Sequence, residues 1–248
     1  FAIGSEIPIV IVDVQRLGPS TGSATRGADG DIQFLRWGNS GGLPVIVLAP
    51  VDVKDCYSLT VEAFNLAEEF RCPVFIASNK EIAMTRENID MDAFGIPRII
   101  DRSSPPPGRP FIPFEVPSDS RTPYFLPIGG RTIVRQTSST HGPDGYITTD
   151  SDEIAVIQDR LNTKLLSAVA EFSFHESFPE EDADTLLLAY GITGRAGRDA
   201  YNALKKSGKP VSLLILKTLW PVPEELIREK AGPVKRVVVV GMNLGQFV

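Results

Sequence analysis

Six short runs that are apolar almost without interruption constrain this chain more than any other feature: "IPIVIVD" (7–13), "PVIVLA" (44–49), "PVFIAS" (73–78), "TLLLAYG" (185–191), "VSLLILK" (211–217) and "KRVVVVG" (235–241). A strand with one wet face alternates apolar and polar residues, whereas an unbroken run suits a strand buried on both faces of a parallel sheet. Parallel strands need crossovers, so helices are expected between them. The stretch "VDVKDCYSLTVEAFNLAEEFRC" (51–72) supplies one: Leu59, Ala63, Leu66 and Phe70 share a helical face, and Asp52 with Asp55 three residues on reads as its N-terminal cap. A shorter helix fits "GDIQFLRWG", stopping near Gly38.

From Asp184 the alternation restarts. Helix "GRDAYNALKKSG", closed by Gly208 and Pro210, and helix "PEELIREKAG" separate the last three runs, a second βαβαβ segment. Between the two segments nine of the chain's 20 prolines fall in residues 101–150, a density that excludes helix interiors and central strands. This stretch is a linker or an arm lying on the surface. A charged helix is expected after it, over "SDEIAVIQDRLNTKLLSAVAEF" (151–172), with Ile154, Ile157, Leu161, Leu165 and Ala168 on one stripe. The reading is therefore α/β, two segments joined by a proline-rich excursion.

The bulk numbers exclude several classes of function. A net charge of −6 repels nucleic acid. No apolar run approaches the roughly 20 residues that span a bilayer, so a membrane role is not expected. Cys56 and Cys72 lie sixteen residues apart with no Cys-x-x-Cys, too few thiolates for an iron–sulfur cluster or a structural zinc site. They offer no disulfide framework either, which favours a reducing, cytoplasmic setting. Phe1 and the residues after it carry no signal-peptide pattern and read as the inside of a domain.

Among candidate sites, "DVQRLGPSTG" (13–22) follows the first apolar run, at the edge of the sheet where open α/β folds bind ligands. Gly18 and Gly22 permit close backbone approach, Ser20 and Thr21 carry hydroxyls, and Arg16 offers a planar fork for a carboxylate or phosphate. An anion site and a plain turn with a surface arginine both fit. "GITGRAGRD" (191–199) has the spacing G-x-x-G-x-x-G, not the G-x-G-x-x-G of a pyrophosphate turn, and the next run ends in Lys217 rather than an acid. It reads as a tight strand–helix junction. His141 is a candidate loop contact for a ligand, His175 a structural or solvated residue, and "SNKEIAMTRENID" (78–90) a solvated helix face.

"IPIVIVDVQRLGPSTGSATRGADGDIQFLRWG", followed by "VIVLAP", "EAFNLAEEFRCPVFIAS" and the late "VVVVGMNLGQ", resembles the alpha subunit of 2-oxoacid:ferredoxin oxidoreductases, especially the 2-oxoglutarate type. The resemblance implies a thiamine diphosphate-binding domain of pyrimidine type, a parallel-sheet domain whose C-terminal part would be residues 1–100. It also implies a transketolase C-terminal-like α/β domain over 184–248, with the excursion and connecting helix at 101–183. The implied reaction turns a 2-oxoacid and coenzyme A into acyl-CoA, carbon dioxide and reduced ferredoxin. A beta subunit would hold or share the thiamine diphosphate with Mg2+, and would carry the iron–sulfur cluster. Arg16 would contact the substrate carboxylate, with Ser20, Thr21 and Gly22 shaping the same wall. A Y-P-I-T-P loop and the glutamate that activates the cofactor are absent from these 248 residues, so no glutamate here takes that role.

Three departures stand out. Leu17 replaces a common glycine, "SATR" (23–26) follows Gly22, and Gly241 stands where the family often has glutamate before M-N-L-G-Q. Leu17 and Arg26 bear on which acid is accepted. The resemblance leaves two main hypotheses open, a catalytic subunit and a docking or regulatory subunit that retains the fold; a third, another thiamine enzyme of transketolase-like or sulfopyruvate type, is disfavoured by the G-P-S-T-G run.

Overall fold

The computed structural model describes residues 1–23 and 26–247; Ala24 and Thr25, inside the departing "SATR" stretch, lie outside the described residues. Strand β1 (Ile9–Gln15) leads through the candidate loop to helix α1 (Ile32–Trp37), then β2 (Ile46–Leu48), α2 (Val53–Phe70), β3 (Pro73–Asn79) and α3 (Lys80–Met84). After the excursion come α4 (Ser151–Leu166), β4 (His175–Phe178), β5 (Thr185–Tyr190), α5 (Thr193–Lys206), β6 (Ser212–Leu216), β7 (Thr218–Trp220), α6 (Glu224–Ala231) and β8 (Arg236–Val240).

The strands form two four-stranded sheets, in the orders β1-β3-β2-β7 and β4-β6-β5-β8. Pairs β1–β3, β2–β3, β5–β6 and β5–β8 are parallel, as the unbroken apolar runs require. The last strand of the first sheet and the first of the second are antiparallel additions. Strand β7 leaves the second segment to pair with β2, so Lys217 is the crossing point between sheets, and β4 joins the second sheet ahead of residue 184.

The two-faced burial expected of every apolar run holds for β2 and fails at the edges. Val12 and Val14 of β1 and Val237 and Val238 of β8 are exposed, because the strand order leaves each of these strands with one neighbour. One core layer packs Leu35, Val45, Val47, Leu188, Tyr190, Leu214 and Trp220 between the sheets. The other joins α2 and the end of α4 to the first sheet through Leu59, Leu66, Phe70, Leu165 and Phe172.

Helix α2 starts where its cap places it, Asp52 Oδ1 accepting from the Asp55 amide at 2.8 Å. It ends on Arg71 at φ 43°, a left-handed conformation usually left to glycine. Here the arginine side chain is tied down, donating to the carbonyls of Glu6, Pro123 and Tyr124. Glu6 is fully buried between Arg160 (2.6 Å) and Lys164 (3.0 Å) of α4, which fixes the chain's start to that helix.

The proline-rich stretch is an arm, not a free linker. Arg102 and Arg121 form bidentate pairs with Glu68 and Glu171, and Asn65 brackets the arm through the Arg98 carbonyl and Ile100 amide. Two helices are shorter than the sequence suggests. Helix α4 stops at Leu166 and continues as a 3-10 turn over Val169–Phe172. Residues 78–90 hold only the five-residue α3, with Ser78, Asn79 and Ile82 buried, because Asn79 is used as its cap and faces inward.

Candidate functional site

The carboxyl end of β1 is held on both sides before the candidate loop begins. Gln15 is buried, its Nε2 donating to the Ser78 carbonyl at 3.3 Å and its Oε1 accepting from the Asp31 amide at 3.0 Å. Arg16 is half-buried and next in line. Among the described residues no carboxylate lies within ion-pair distance of it, although twelve other lysines and arginines are so paired.

Beyond Arg16 the backbone doubles back. The Leu17 amide donates to the Arg26 carbonyl (3.2 Å), the Ser23 amide to the Leu17 carbonyl (3.2 Å), and the Gly22 amide to the Pro19 carbonyl (2.9 Å). Gly22 sits at φ 56°, and a β-carbon on it would lie 1.7 Å from the Leu17 carbonyl oxygen and 2.7 Å from Arg16 Nη1. The structure therefore brings Arg16 and Gly22 into contact. Ser20 and Thr21 form the exposed crest, Ser20 with a positive φ of 50°. Leu17 and Arg26, which belong to two of the three departures, face one another across the loop's neck.

The return limb, residues 27–33, is gripped by groups that sequence reasoning missed. Glu81 Oε1 accepts from the Gly27 amide at 3.1 Å, and Asn79 Nδ2 donates to Asp29 Oδ1 at 2.9 Å. Asn79 and Glu81 belong to the stretch expected to be solvated. The only signal available was an asparagine and a glutamate directly after a strand end, the position where such side chains meet ligands or loops.

Two carboxyls near the loop are held above their ordinary range. Asp13 is pushed up to about 6, by burial first and the neighbouring Asp31 second. Asp29 is also raised, by burial, against the hydrogen bonds from Asn79 and the Met242 region that favour its charged form. Among the described residues its Oδ2 has no hydrogen-bond partner.

The other sequence candidates lie elsewhere. His141 is buried rather than a loop contact, its ring 3.9 Å from that of Phe114 and its Nδ1 2.7 Å from the Ser139 carbonyl oxygen. His175 is exposed on β4. The glycine stretch 191–199 opens α5, and a β-carbon on Gly194 would come within 2.8 Å of Ile215 and 3.0 Å of Val51, so close helix–sheet packing accounts for it. Burial pushes the Cys56 thiol up to about 11 and that of Cys72 to about 12. Among the described residues no group of three or more His, Cys, Asp or Glu could hold a metal ion, and no helix is long and apolar enough to cross a membrane.

Comparison with known proteins gives this geometry a context. The chain is 36% identical to the 2-oxoglutarate synthase subunit KorA of Methanothermobacter marburgensis, matching over 100% of its own length and 66% of the relative's. The KorA subunit of Archaeoglobus fulgidus is 33% identical, with 64% of it covered, and the ketoisovalerate oxidoreductase subunit VorB of M. marburgensis is 29% identical, with 62% covered. The chain thus spans somewhat less than two thirds of the length of these relatives. Among solved structures it resembles a 2-oxoglutarate:ferredoxin oxidoreductase from Magnetococcus marinus with 2-oxoglutarate, coenzyme A and succinyl-CoA bound, at 29% identity and a TM-score of 0.89 over 98% of this chain and 43% of that one. Residues 1–163 match the thiamine diphosphate-binding domain of pyruvate flavodoxin/ferredoxin oxidoreductases and residues 183–248 match core domain II of pyruvate:ferredoxin oxidoreductase, so the chain, with both domains in tandem, belongs to that family.

Proposed function

We propose that this chain forms part of the alpha subunit of a 2-oxoacid:ferredoxin oxidoreductase, with Arg16 as the anchor for the substrate carboxylate and 2-oxoglutarate as the favoured acid. The observation that carries the reading is a half-buried guanidinium at a strand's carboxyl end, free of any acid among the described residues, under a loop whose glycine is required by contact. A planar fork in that position takes a carboxylate through two charge-assisted hydrogen bonds and fixes the direction of the adjacent carbonyl. Ser20, Thr21 and Gly22 wall the same space. The KorA names of the relatives favour 2-oxoglutarate.

Thiamine diphosphate, when bound, supplies the electron sink for decarboxylation. This chain contributes binding and orientation. In this reading the site is shared rather than complete, with Mg2+ and the diphosphate held by the beta subunit. Two cysteines are too few to ligate an iron–sulfur cluster, which supports placing the cluster there too. Glu6 is the one fully buried glutamate among the described residues, and both its oxygens are taken by Arg160 and Lys164, so it is unavailable to activate the cofactor. Coenzyme A takes the acyl group and ferredoxin the electrons. Unpaired Cys56 and Cys72 support a cytoplasmic location. We divide the chain into the pyrimidine-type domain portion (1–100), the arm and connecting helix (101–183) and a transketolase C-terminal-like domain (184–248), the last supported by the family match that begins at residue 183.

The test is co-expression with the partner beta chain and assay with 2-oxoglutarate, pyruvate and branched 2-oxoacids, using coenzyme A and a viologen dye. The wild-type complex is expected to oxidise 2-oxoglutarate best. Arg16→Ala should lower kcat/KM by about 30- to 1000-fold, the worth of a charge-assisted pair of hydrogen bonds, while thiamine diphosphate still binds. Unchanged kinetics in the variant would remove Arg16 from the site, and an inert wild-type complex that still assembles would favour a docking subunit.

A further inference from the structure

The segment after β8, residues 241–247, closes over the return limb of the Arg16 loop from the opposite sheet. The Asp29 amide donates to the Met242 carbonyl (3.1 Å), and Asn243 Nδ2 donates to the Asp29 carbonyl (3.0 Å). Gln246 acts twice: its Nε2 donates to the Gly30 carbonyl (2.8 Å) and its Oε1 accepts from the Gln33 amide (3.1 Å), while the Gln33 side chain returns a bond to the Gln246 carbonyl. Phe247 anchors the segment, its ring 5.1 Å from Tyr190 and 5.3 Å from Trp220 in the core between the sheets.

The limb so held, with Arg26 just ahead of it, touches three consecutive residues at the start of the substrate loop. Asp31 binds the Gln15 side chain through its amide, Gly30 packs so closely on Arg16 that a β-carbon would lie 2.7 Å from the Arg16 carbonyl oxygen, and Arg26 receives the Leu17 amide. A continuous path of direct contacts therefore runs from Gln246 through Gly30 to the backbone of Arg16. The departure at position 241 belongs to the same device. A β-carbon on Gly241 would meet the Tyr190 hydroxyl at 2.5 Å, so glycine makes room for the phenol, which accepts from Asn243 Nδ2 at 2.7 Å and holds that asparagine against Asp29.

We propose that Gln246, supported by Asn243 and Tyr190, is a positioning residue for the substrate carboxylate: it sets the place of Arg16 through Gly30, making substrate affinity depend on the docking of the second sheet against the first. The inference rests on Arg16 being the carboxylate anchor. Displacing a binding group by about an ångström is enough to cost up to 100-fold, and coupling of this kind needs a contiguous set of packed contacts, which the limb provides.

The test is a double-mutant cycle in the complete alpha–beta complex, reading KM for 2-oxoglutarate, KM for coenzyme A, kcat, thiamine diphosphate binding and the thermal midpoint. Gln246→Ala should raise the 2-oxoglutarate KM about tenfold, with kcat and the coenzyme A KM within about twofold. Gln246→Glu, which keeps the acceptor for Gln33 and loses the donor to Gly30, should fall between. In an Arg16→Lys background Gln246→Ala should add less than about twofold, since both act on one contact. An unchanged KM, a full tenfold addition in the Arg16→Lys background, or a parallel fall in kcat, cofactor binding and melting with KM intact each overturns the proposal. A wild-type complex inert toward every 2-oxoacid would overturn the functional reading, and this inference with it, whereas active wild type with an unaffected variant overturns the inference alone.

Discussion

Gly22 lies against Arg16 with no room for a side chain: a β-carbon there would be 2.7 Å from the guanidinium and 1.7 Å from the Leu17 carbonyl oxygen. Its φ of 56° adds a second penalty for any L-residue. Gly22→Ala must therefore open the loop and swing the arginine. We expect the 2-oxoacid KM to rise more than tenfold, while the thermal midpoint moves by no more than about 3 °C, because the loop crest is exposed and outside the core. Steady-state kinetics beside a melting curve checks both, and an unchanged KM would mean the loop does not shape the site.

Glu6 behaves oppositely to an isolated buried acid. Burial alone would raise its pKa, but Lys164 and Arg160 outweigh it and bring the carboxyl down to about 2, from 4.5. The folded state thus holds its proton less tightly than the unfolded state, so the ion cluster's contribution is complete above pH 4.5 and is lost as pH falls toward 2. Glu6→Gln leaves a buried lysine without its counter-charge and should cost about 3–5 kcal/mol at pH 7. Urea unfolding across pH 7 to 2.5 should show the gap between parent and variant narrowing on the acid side.

Asp13 has the reverse sign. Its carboxyl titrates at about 6 in the fold against 3.8 in the unfolded chain, through burial and then the charge of Asp31. Between those values the folded state binds more protons, so stability declines as pH rises from about 4 to 6 and is level above. The full shift would overstate a group that is half in water, and screening leaves about 1 kcal/mol. Asp13→Asn should accordingly be more stable than the parent at pH 7 and equal to it near pH 3.5, measured as urea midpoints.

These three residues differ in how far the sequence announces them. Gly22 and Arg16 stand six apart in a turn-rich loop, and their residue types alone mark an anion site or a turn. The helical face Leu59, Ala63, Leu66 and Phe70 is legible because local periodicity dictates it, and all four side chains are buried. Position 13 is ordinary in the sequence, since its perturbation comes first from burial in the fold and then from Asp31, eighteen residues on. The grip on the return limb is illegible for the same reason: Asn79 and Gln246 reach it from 50 and 216 residues away. Strands β4 and β7 escape notice because they are short and gain their order from a neighbouring strand.

The glycine stretch 191–199 gives a last prediction, because it separates a packing role from a binding one. A β-carbon at Gly194 would press to 2.8 Å from Ile215 Cγ2 and 3.0 Å from Val51 Cγ1, joining α5 to both β6 and the first sheet's turn after β2. At Gly197 the nearest atom is Leu213 Cδ1 at 3.2 Å, the free end of a flexible side chain. Gly194→Ala should destabilise by about 1–3 kcal/mol through overpacking, and Gly197→Ala by less than about 1 kcal/mol, since the helix gains from alanine what the contact loses. Were the stretch instead a phosphate cradle, both substitutions would leave stability near the parent's and weaken nucleotide binding. Thermal melts of the two variants, with isothermal titration of a dinucleotide into the parent, decide between these outcomes. We expect the stability difference and no binding.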